Sequence, residues 1–214
     1  GYQEYNGKYY PSLHYKQIIE AEKIADELAK TDEIAKTAAE ADEIAKEVAK
    51  SDNMTLSIAG LKSLCLSNNK IVLKYLNDFY LKWSDNDLVL EKWFEMMSSL
   101  NLDLEGINHI KTLMEHKSFD IKNPNKLRSV LGTFQRENIL LFHAEDSSGY
   151  NFISEQIKII DKRNPQAAAR LILPLTRFKN YKEDRKIKIK KVLKNIFDQK
   201  PSNDLSEIIE KALN

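Results

Sequence analysis

Two Asn-Pro pairs, Asn123-Pro124 and Asn164-Pro165, constrain the fold of this chain more than any other feature. An asparagine at an N-cap accepts a backbone N–H at the start of a helix, and a proline at the first helical position loses no hydrogen bond there. Each pair therefore predicts a helix start. Between them, the polar segment 142–150 contains a glycine and is expected to end one helix and begin the next.

The rest of the chain is also patterned for helices. Only six Gly and five Pro interrupt 214 residues, of which 42% are hydrophobic. Apolar residues recur at helical spacing in segments that are joined by short polar loops. After Ser51 these segments predict helices over 56–66 (with Thr55 as its cap), 69–83, 86–99, 103–116, 123–136, 149–163, 164–178, 181–198 and 203–213. Short loops favour antiparallel neighbours, so the predicted fold is all-α: an α-solenoid of stacked antiparallel helix pairs.

The segment 12–50 has a different and much simpler composition. The near repeats 26–30, 32–36 and 42–46 consist of strong helix formers, and Thr31 is a possible cap of a second helix. The sequence leaves open whether this segment is one helix or two. So regular a composition indicates an engineered or foreign idealised helical element, and a natural Ala-rich helix pair is the alternative. The change at Ser51 predicts two parts, 1–51 and 52–214.

Five tyrosines lie at the beginning of the chain: Tyr2, Tyr5, Tyr9, Tyr10 and Tyr15. Because this stretch lacks a helical period, we expect an irregular lead-in whose rings pack on the first helix. The alternative is a contact surface for a protein partner, since tyrosine offers a large rigid contact area with a polar end.

The charge balance and the length of the apolar runs indicate whether nucleic acid or a membrane is an expected partner. Lys and Arg total 33 against 32 for Asp and Glu, so no general attraction to nucleic acid or to a membrane surface is expected. The basic segment 177–194 carries an ordinary apolar stripe, which favours a solvated face over phosphate binding. No apolar run reaches the length of a membrane span. The single Cys65 excludes an internal disulfide, is expected to be buried filler, and suggests a reducing, cytoplasmic origin.

No catalytic motif stands out in the sequence. It contains no H-E-x-x-H, no glycine-rich phosphate loop and no G-x-S-x-G. His109 and His116 are seven residues apart without further ligands nearby, so neither a metal nor another cofactor is predicted. His143 beside Glu145 and Asp146 is able to titrate or bind, but we expect it to hold its loop through hydrogen bonds to the backbone.

Several motifs occur in order through the second part of the chain: Asn53-Met54-Thr55, Lys92-Trp93-Phe94, Met114-Glu115-His116, Phe119-Asp120, Asn123-Pro124-Asn125-Lys126-Leu127-Arg128-Ser129, Gly132, Phe134, Phe142-His143-Ala144-Glu145-Asp146, Gly149-Tyr150, Arg163-Asn164-Pro165-Gln166, Ala169-Arg170-Leu171 and Pro174-Leu175. Together they resemble the C-terminal helical domain of bacterial-type alanyl aminopeptidase (aminopeptidase N). The resemblance covers about 52–214.

That resemblance carries expectations about the site. Members of the family are zinc metallopeptidases that remove N-terminal residues, with the zinc motif in a thermolysin-like domain and an α-solenoid that closes over the active-site chamber. The resemblance implies that Arg128, Gln166 and Arg170 face this chamber, contact the peptide substrate, and belong to a domain that packs against the peptidase domain. The alternative for the two arginines is a role as ties on or between helices.

The function predicted from these observations is that of a non-catalytic helical scaffold. It is a fragment of an aminopeptidase C-terminal domain whose exposed end is capped by an engineered N-terminal element, because a cut repeat array needs a capping unit. Since the zinc motif is absent from the chain, no enzyme activity is expected. One alternative is a designed module that binds a protein or presents an epitope through the N-terminal segment, and another is a natural accessory domain that shapes the substrate chamber.

Overall fold

The computed structural model describes residues 2–5, 8–67, 70–101 and 106–214. Side chains are described from residue 20 onward, apart from 21, 22 and 25. In chain order the elements are β1 (Tyr2–Tyr5), β2 (Lys8–Pro11), α1 (Ser12–Ala49), α2 (Met54–Leu66), α3 (Val72–Trp83), α4 (Asp87–Ser99), α5 (Ile107–Met114), α6 (Pro124–Leu127), a π-helix (Arg128–Gly132), α7 (Thr133–Glu137), α8 (Ile139–Phe142), α9 (Ser148–Asp161), α10 (Pro165–Thr176), a 3-10 helix (Phe178–Asn180), α11 (Glu183–Phe197) and α12 (Asn203–Leu213). The predicted all-α solenoid is confirmed.

The backbone at the N-terminus differs from the expectation. β1 and β2 pair antiparallel, with Gln3 opposite Tyr10, so the predicted irregular lead-in is wrong for these strands. The sequence signal for the hairpin is the Asn6-Gly7 pair, the combination that favours two-residue turns between strands. The side chains of the five tyrosines lie outside the described residues, and their packing or contact role stays a prediction.

α1 is one continuous helix, which answers a question that the sequence left open. Thr31 does not cap a second helix, because its Oγ1 donates to the carbonyl of Glu27 at 2.9 Å inside the helix. Most of α1 is exposed: Ile24, Leu28 and Ile34 keep 51%, 61% and 70% of their surface. Among the residues of α1 whose side chains are described, the buried ones are Ala45 and Ala49, at its C-terminal end.

That end packs closely on α2. A Cβ atom added at Gly60 would lie 2.5 Å from the amide nitrogen of Ala49 and 2.7 Å from the carbonyl oxygen of Ala45. The two backbones therefore approach to a distance that only glycine allows at this position. Ser57 Oγ donates to the carbonyl of Ala49 at 2.7 Å, which further ties the helices together.

Four asparagines cap helices in the part of the chain that the structure describes: Asn53, Asn86, Asn123 and Asn164. Asn123 Oδ1 accepts the N–H of Asn125 at 2.9 Å at the start of α6, and Asn164 Oδ1 accepts from Ala167 N at 3.0 Å at the start of α10. Both predicted starts are confirmed. α2 is capped by Asn53, two residues before the expected Thr55.

The predicted helix 123–136 is interrupted by a wider turn. Within the rod formed by α6, the π-helix and α7, the N–H of Thr133 donates to the carbonyl of Arg128, five residues earlier. A π-turn of this kind is uncommon and frequently lies at a functional site. It forms one wall of the cavity described below.

A single hydrophobic core runs through the helical part from the end of α1 to α12. α4 lies near its centre and buries Leu90, Phe94 and Met96, while α9 buries Ile153 and Ile157. None of the helices in the described part of the chain has an apolar stretch long enough to cross a membrane.

Candidate functional site: an arginine-lined cavity

A cavity of about 480 Å³ opens between the rod that contains the π-helix and the face of α10. Its lining residues are Pro124, Asn125, Leu127, Arg128, Gly132, Gln135, Arg136, Phe142, Asn164, Gln166, Ala167, Arg170, Leu171, Leu173, Pro174, Arg177 and Tyr181. The starts of α6 and α10 both border it. The cavity is large enough for a small peptide-like molecule.

Four arginines line this cavity: Arg128, Arg136, Arg170 and Arg177. No aspartate or glutamate is among the lining residues, and within the described residues none of the four forms an ion pair. All four side chains are exposed. Guanidinium groups bind carboxylates and phosphates through paired N–H donors, so the cavity is suited to an anionic ligand.

Gly132 makes room for two of these arginines. A Cβ atom at this position would lie 3.0 Å from Nη1 of Arg136 and 3.4 Å from Cγ of Arg128. The missing side chain lets both arginines lie across the same face of the rod. Arg136 also donates weakly to Thr133 Oγ1 at 3.4 Å.

The opposite wall comes from one face of α10. Gln166, Arg170 and Arg177 are four and seven residues apart, which places them on one side of a helix. Pro174 lies on the same wall and has no N–H to donate to the carbonyl of Arg170, one turn earlier. Because α10 starts at Pro165 with Asn164 as its cap, this start sets the position of Gln166 and of the polar face that follows it.

Gln135 is the unusual residue of the lining. Its side chain is only 5% exposed, and neither Nε2 nor Oε1 has a hydrogen-bond partner among the described residues. Buried amides are normally paired because an unpaired one loses its hydration without compensation. A buried, unpaired carboxamide thus borders a cationic cavity.

The structure brings together all three residues that the resemblance singled out. Arg128, Gln166 and Arg170 line one cavity, although they come from two separate elements. Their position towards a substrate chamber stays a prediction. Gln135, Arg136 and Arg177 share the lining but were not expected, since no local motif marks them.

His143 lies behind the cavity rather than in it. Its Nδ1 is 2.5 Å from Tyr150 Oη, and its ring packs at 5.1 Å from that of Tyr181, which does line the cavity. Burial and the nearby Arg185 lower the pKa of His143, and burial raises the pKa of Tyr150 to about 12. The side-chain-to-backbone hydrogen bond of this loop is made by Asp146, whose Oδ1 accepts from Ser148 N. His143 instead pairs with the side chain of Tyr150.

The remaining candidates are engaged locally. His109 Nε2 lies 2.8 Å from the carbonyl of Met97, and His116 Nδ1 accepts the N–H of Ser118 at 3.2 Å. Among the residues that the structure describes, no three His, Cys, Asp or Glu side chains are grouped to hold a metal. Cys65 is half-buried, and burial raises its pKa to about 12. In the basic segment, Lys188 donates to the carbonyl of Glu145 at 2.7 Å.

A protein-family model described as "Domain of unknown function (DUF3458_C) ARM repeats" matches residues 27–214. The match begins inside α1 and so includes the second part of that helix. The domain boundary at Ser51 stays a prediction.

Known proteins with similar sequences are aminopeptidases. Aminopeptidase N of Haemophilus influenzae is 40% identical over 139 residues, which is 64% of this chain and 16% of that protein. Aminopeptidase N of Escherichia coli K12 is 41% identical over 133 residues, 62% of this chain and 15% of that protein. The chain thus spans a small part of these relatives. The resemblance to the C-terminal domain of aminopeptidase N is confirmed.

A solved structure agrees with the sequence matches. The crystal structure of Legionella pneumophila aminopeptidase A in complex with aspartic acid superposes with a TM-score of 0.72 at 29% identity. The similarity covers 85% of this chain and 21% of that one.

Proposed function

The chain belongs to the DUF3458_C family of ARM-repeat domains, and on this premise we propose that it is a non-catalytic accessory domain of a cytoplasmic aminopeptidase. In this proposal the arginine-lined cavity binds the carboxyl end of peptides. The observation that carries it is the group of four exposed arginines, without a lining carboxylate, in a cavity of about 480 Å³.

The chemistry of the substrate supports this assignment. An aminopeptidase acts at the amino end of a peptide, and the feature that every free peptide has at its other end is a carboxylate. Guanidinium groups hold carboxylates in a defined orientation, and several together raise the local concentration of anions. Arg128, Gln166 and Arg170 would contact the end of the peptide that is not cut, while the cleavage chemistry belongs to a separate peptidase domain against which this one packs.

A titration of the full chain with two blocked tripeptides tests the proposal. Acetyl-Ala-Ala-Ala carries a free carboxylate, and its C-terminal amide form does not. The free acid is expected to bind more tightly, with an affinity that falls as salt is added. Equal affinity for both forms would contradict the carboxylate role.

Two variants assign the binding to the cavity. Arg128→Ala and Arg170→Ala should each weaken binding of the free acid by about tenfold, since charge-assisted hydrogen bonds contribute about 1.5–3 kcal/mol. The matched control is Arg163→Ala, because Arg163 is exposed and lies outside the lining. If the control loses as much affinity as the cavity variants, the binding is only general attraction to positive charge.

The non-catalytic part of the proposal has its own test. The purified chain with added zinc is expected to release no product from an alanyl chromogenic substrate. Turnover above that of a metal-only blank would contradict it.

A second candidate function concerns the N-terminal segment. Ile24, Leu28 and Ile34 are large apolar side chains that α1 exposes to solvent, and such side chains are suited to contact a protein partner. The idealised composition supports an engineered element, made to cap the domain, to bind a protein or to present an epitope. A binding protein that contacts this part of α1 should lose affinity when Ile24, Leu28 and Ile34 are each replaced by Lys, while unfolding stays cooperative. Unchanged affinity would contradict this candidate.

A further inference from the structure

The cavity lining combines many hydrogen-bond donors with few acceptors. Guanidinium groups only donate, so the four arginines offer no partner to an N–H of a ligand. Among the lining residues, Asn164 Oδ1 already accepts from Ala167 N at 3.0 Å, the side chains of Asn125 and Gln166 are exposed to solvent, and Tyr181 is half-buried. Gln135 is the buried lining side chain whose amide oxygen has no partner within the described residues.

The position of Gln135 places it beside the cationic groups. It follows the π-helix by three residues and directly precedes Arg136, which lies over Gly132 together with Arg128. A carboxamide here lines the same cavity as two groups that bind carboxylates. In a peptide, the last amide lies just as close to the terminal carboxylate.

We propose that Gln135 is a specificity residue that recognises the last peptide bond of the bound ligand. Its Nε2 donates to the peptide carbonyl and its Oε1 accepts the peptide N–H, while the arginines hold the adjacent carboxylate. This inference rests on the proposed function of the cavity. It adds that the ligand must be a peptide and not merely an anion.

The unpaired state of Gln135 removes one cost of the necessary movement, the loss of existing hydrogen bonds. Both amide atoms are shielded from solvent, so the side chain has to turn into the cavity to meet a ligand. Because neither atom has a partner within the described residues, this rotation breaks no hydrogen bond there and gains two when the peptide is bound. A paired glutamine would have to give up its partners first.

A chemical change in the probe tests the role without altering the protein. The full chain is titrated with acetyl-Ala-Ala-Ala and with its ester analogue, in which the last amide N–H is replaced by oxygen and the carboxylate is retained. The wild-type chain is expected to bind the amide roughly five- to tenfold more tightly, which corresponds to one net hydrogen bond. An equal affinity for amide and ester would overturn the proposal.

The variant Gln135→Met keeps the length of the side chain and removes both hydrogen-bonding groups. It is expected to bind the two probes equally, at an affinity below that of the wild type for the ester, because the variant also loses the Nε2–H bond to the carbonyl, which the ester retains. The matched control, Gln199→Met, changes an exposed glutamine outside the lining and should keep the full preference for the amide. A Gln135→Met chain that still prefers the amide would overturn the assignment.

The outcomes separate this inference from the proposed function. Binding that requires the carboxylate but ignores the change from amide to ester leaves the proposed function standing and removes the role of Gln135. Failure to distinguish the free acid from its amide form contradicts both. A purely structural Gln135 would change the melting temperature on substitution but would not alter the ratio between the two probes.

Discussion

The exposed part of α1 and the buried face of α9 contain the same kind of residue in the same kind of pattern. Ile24 and Leu28 are four residues apart in α1 and keep more than half of their surface, whereas Ile153 and Ile157, also four residues apart in α9, are fully buried. Both segments are helical. What differs is the number of neighbours, because α9 packs against α8, α10 and α11, while α1 meets the helical domain chiefly through α2.

This difference teaches that periodicity predicts a helix but not its burial. α1 forms from residues with high helix propensity and from pairs such as Glu43–Lys46, whose charged atoms are 2.6 Å apart. α9 is held by packing. Substitutions in the two helices should therefore have very different energetic consequences.

The largest expected effect comes from truncating one isoleucine in each helix. Ile157→Ala should lower the free energy of unfolding by about 2–5 kcal/mol, because it leaves a cavity in the core. Ile34→Ala removes an exposed side chain and should change it by less than about 0.5 kcal/mol. Urea unfolding followed by the fluorescence of Trp83 and Trp93 measures both. A similar loss of unfolding free energy in the two variants would show that Ile34 is covered in solution.

How far the sequence alone reaches can be judged from particular residues. Asn123 and Asn164 were predicted as caps and are caps, because the cap bond forms within one turn and needs no tertiary context. The cap of α2 was assigned to Thr55 although Asn53 is in place to accept from two amides. The π-turn at Arg128 carries no local signal, since it depends on how the rod packs.

The cavity was only partly accessible to sequence reasoning. Arg128, Gln166 and Arg170 came from the resemblance to a family, while Gln135 and Arg177 join them only after the rod and α10 pack together. Cavity residues that are distant from one another in the sequence share no local motif, so the sequence does not indicate that they will meet. The burial of Gln135 could not be foreseen for the same reason.

The next effect sharpens the contrast at the C-terminal end of α1, where this helix packs on α2. Gly60→Ala should lower the free energy of unfolding by about 1–3 kcal/mol, because the added Cβ meets the backbone of Ala45 and Ala49. Ser63→Ala, on the exposed side of the same helix, is the control and should stay within about 0.5 kcal/mol. A tolerated Gly60→Ala would mean that the end of α1 is held less closely than the structure has it.

A smaller effect is expected at the helix starts. Asn164→Ala removes the acceptor for Ala167 N and should cost about 0.5–2 kcal/mol. Thr31→Ala in α1 removes only an internal bond to the carbonyl of Glu27 and should be neutral or slightly stabilising, because alanine is the better helix former. The urea midpoint of Asn164→Ala should therefore be lower than that of Thr31→Ala. An equal loss of unfolding free energy in the two variants would contradict this prediction.

The smallest expected effect is the dependence of the unfolding free energy on pH, which comes from two histidines in the helical domain. Burial lowers the pKa of His143 and of His116 below the ordinary value of 6.5, so the unfolded chain binds protons more readily than the folded one. Stability contributed by the neutral imidazoles is present above pH 6.5 and is lost as the pH falls towards the folded pKa values. His143→Gln should flatten the slope of unfolding free energy against pH between about 5 and 7. An unchanged slope would contradict this cause.

We propose that the cavity in the packed part of the chain receives the carboxyl end of a peptide. Mapping of backbone amide shifts during a titration with acetyl-Ala-Ala-Ala tests it most directly. We expect the shifts to be concentrated in 128–136 and 166–177, with no change along 20–41. Shifts that follow α1, or that are the same for the C-terminal amide form of the peptide, would contradict the claim.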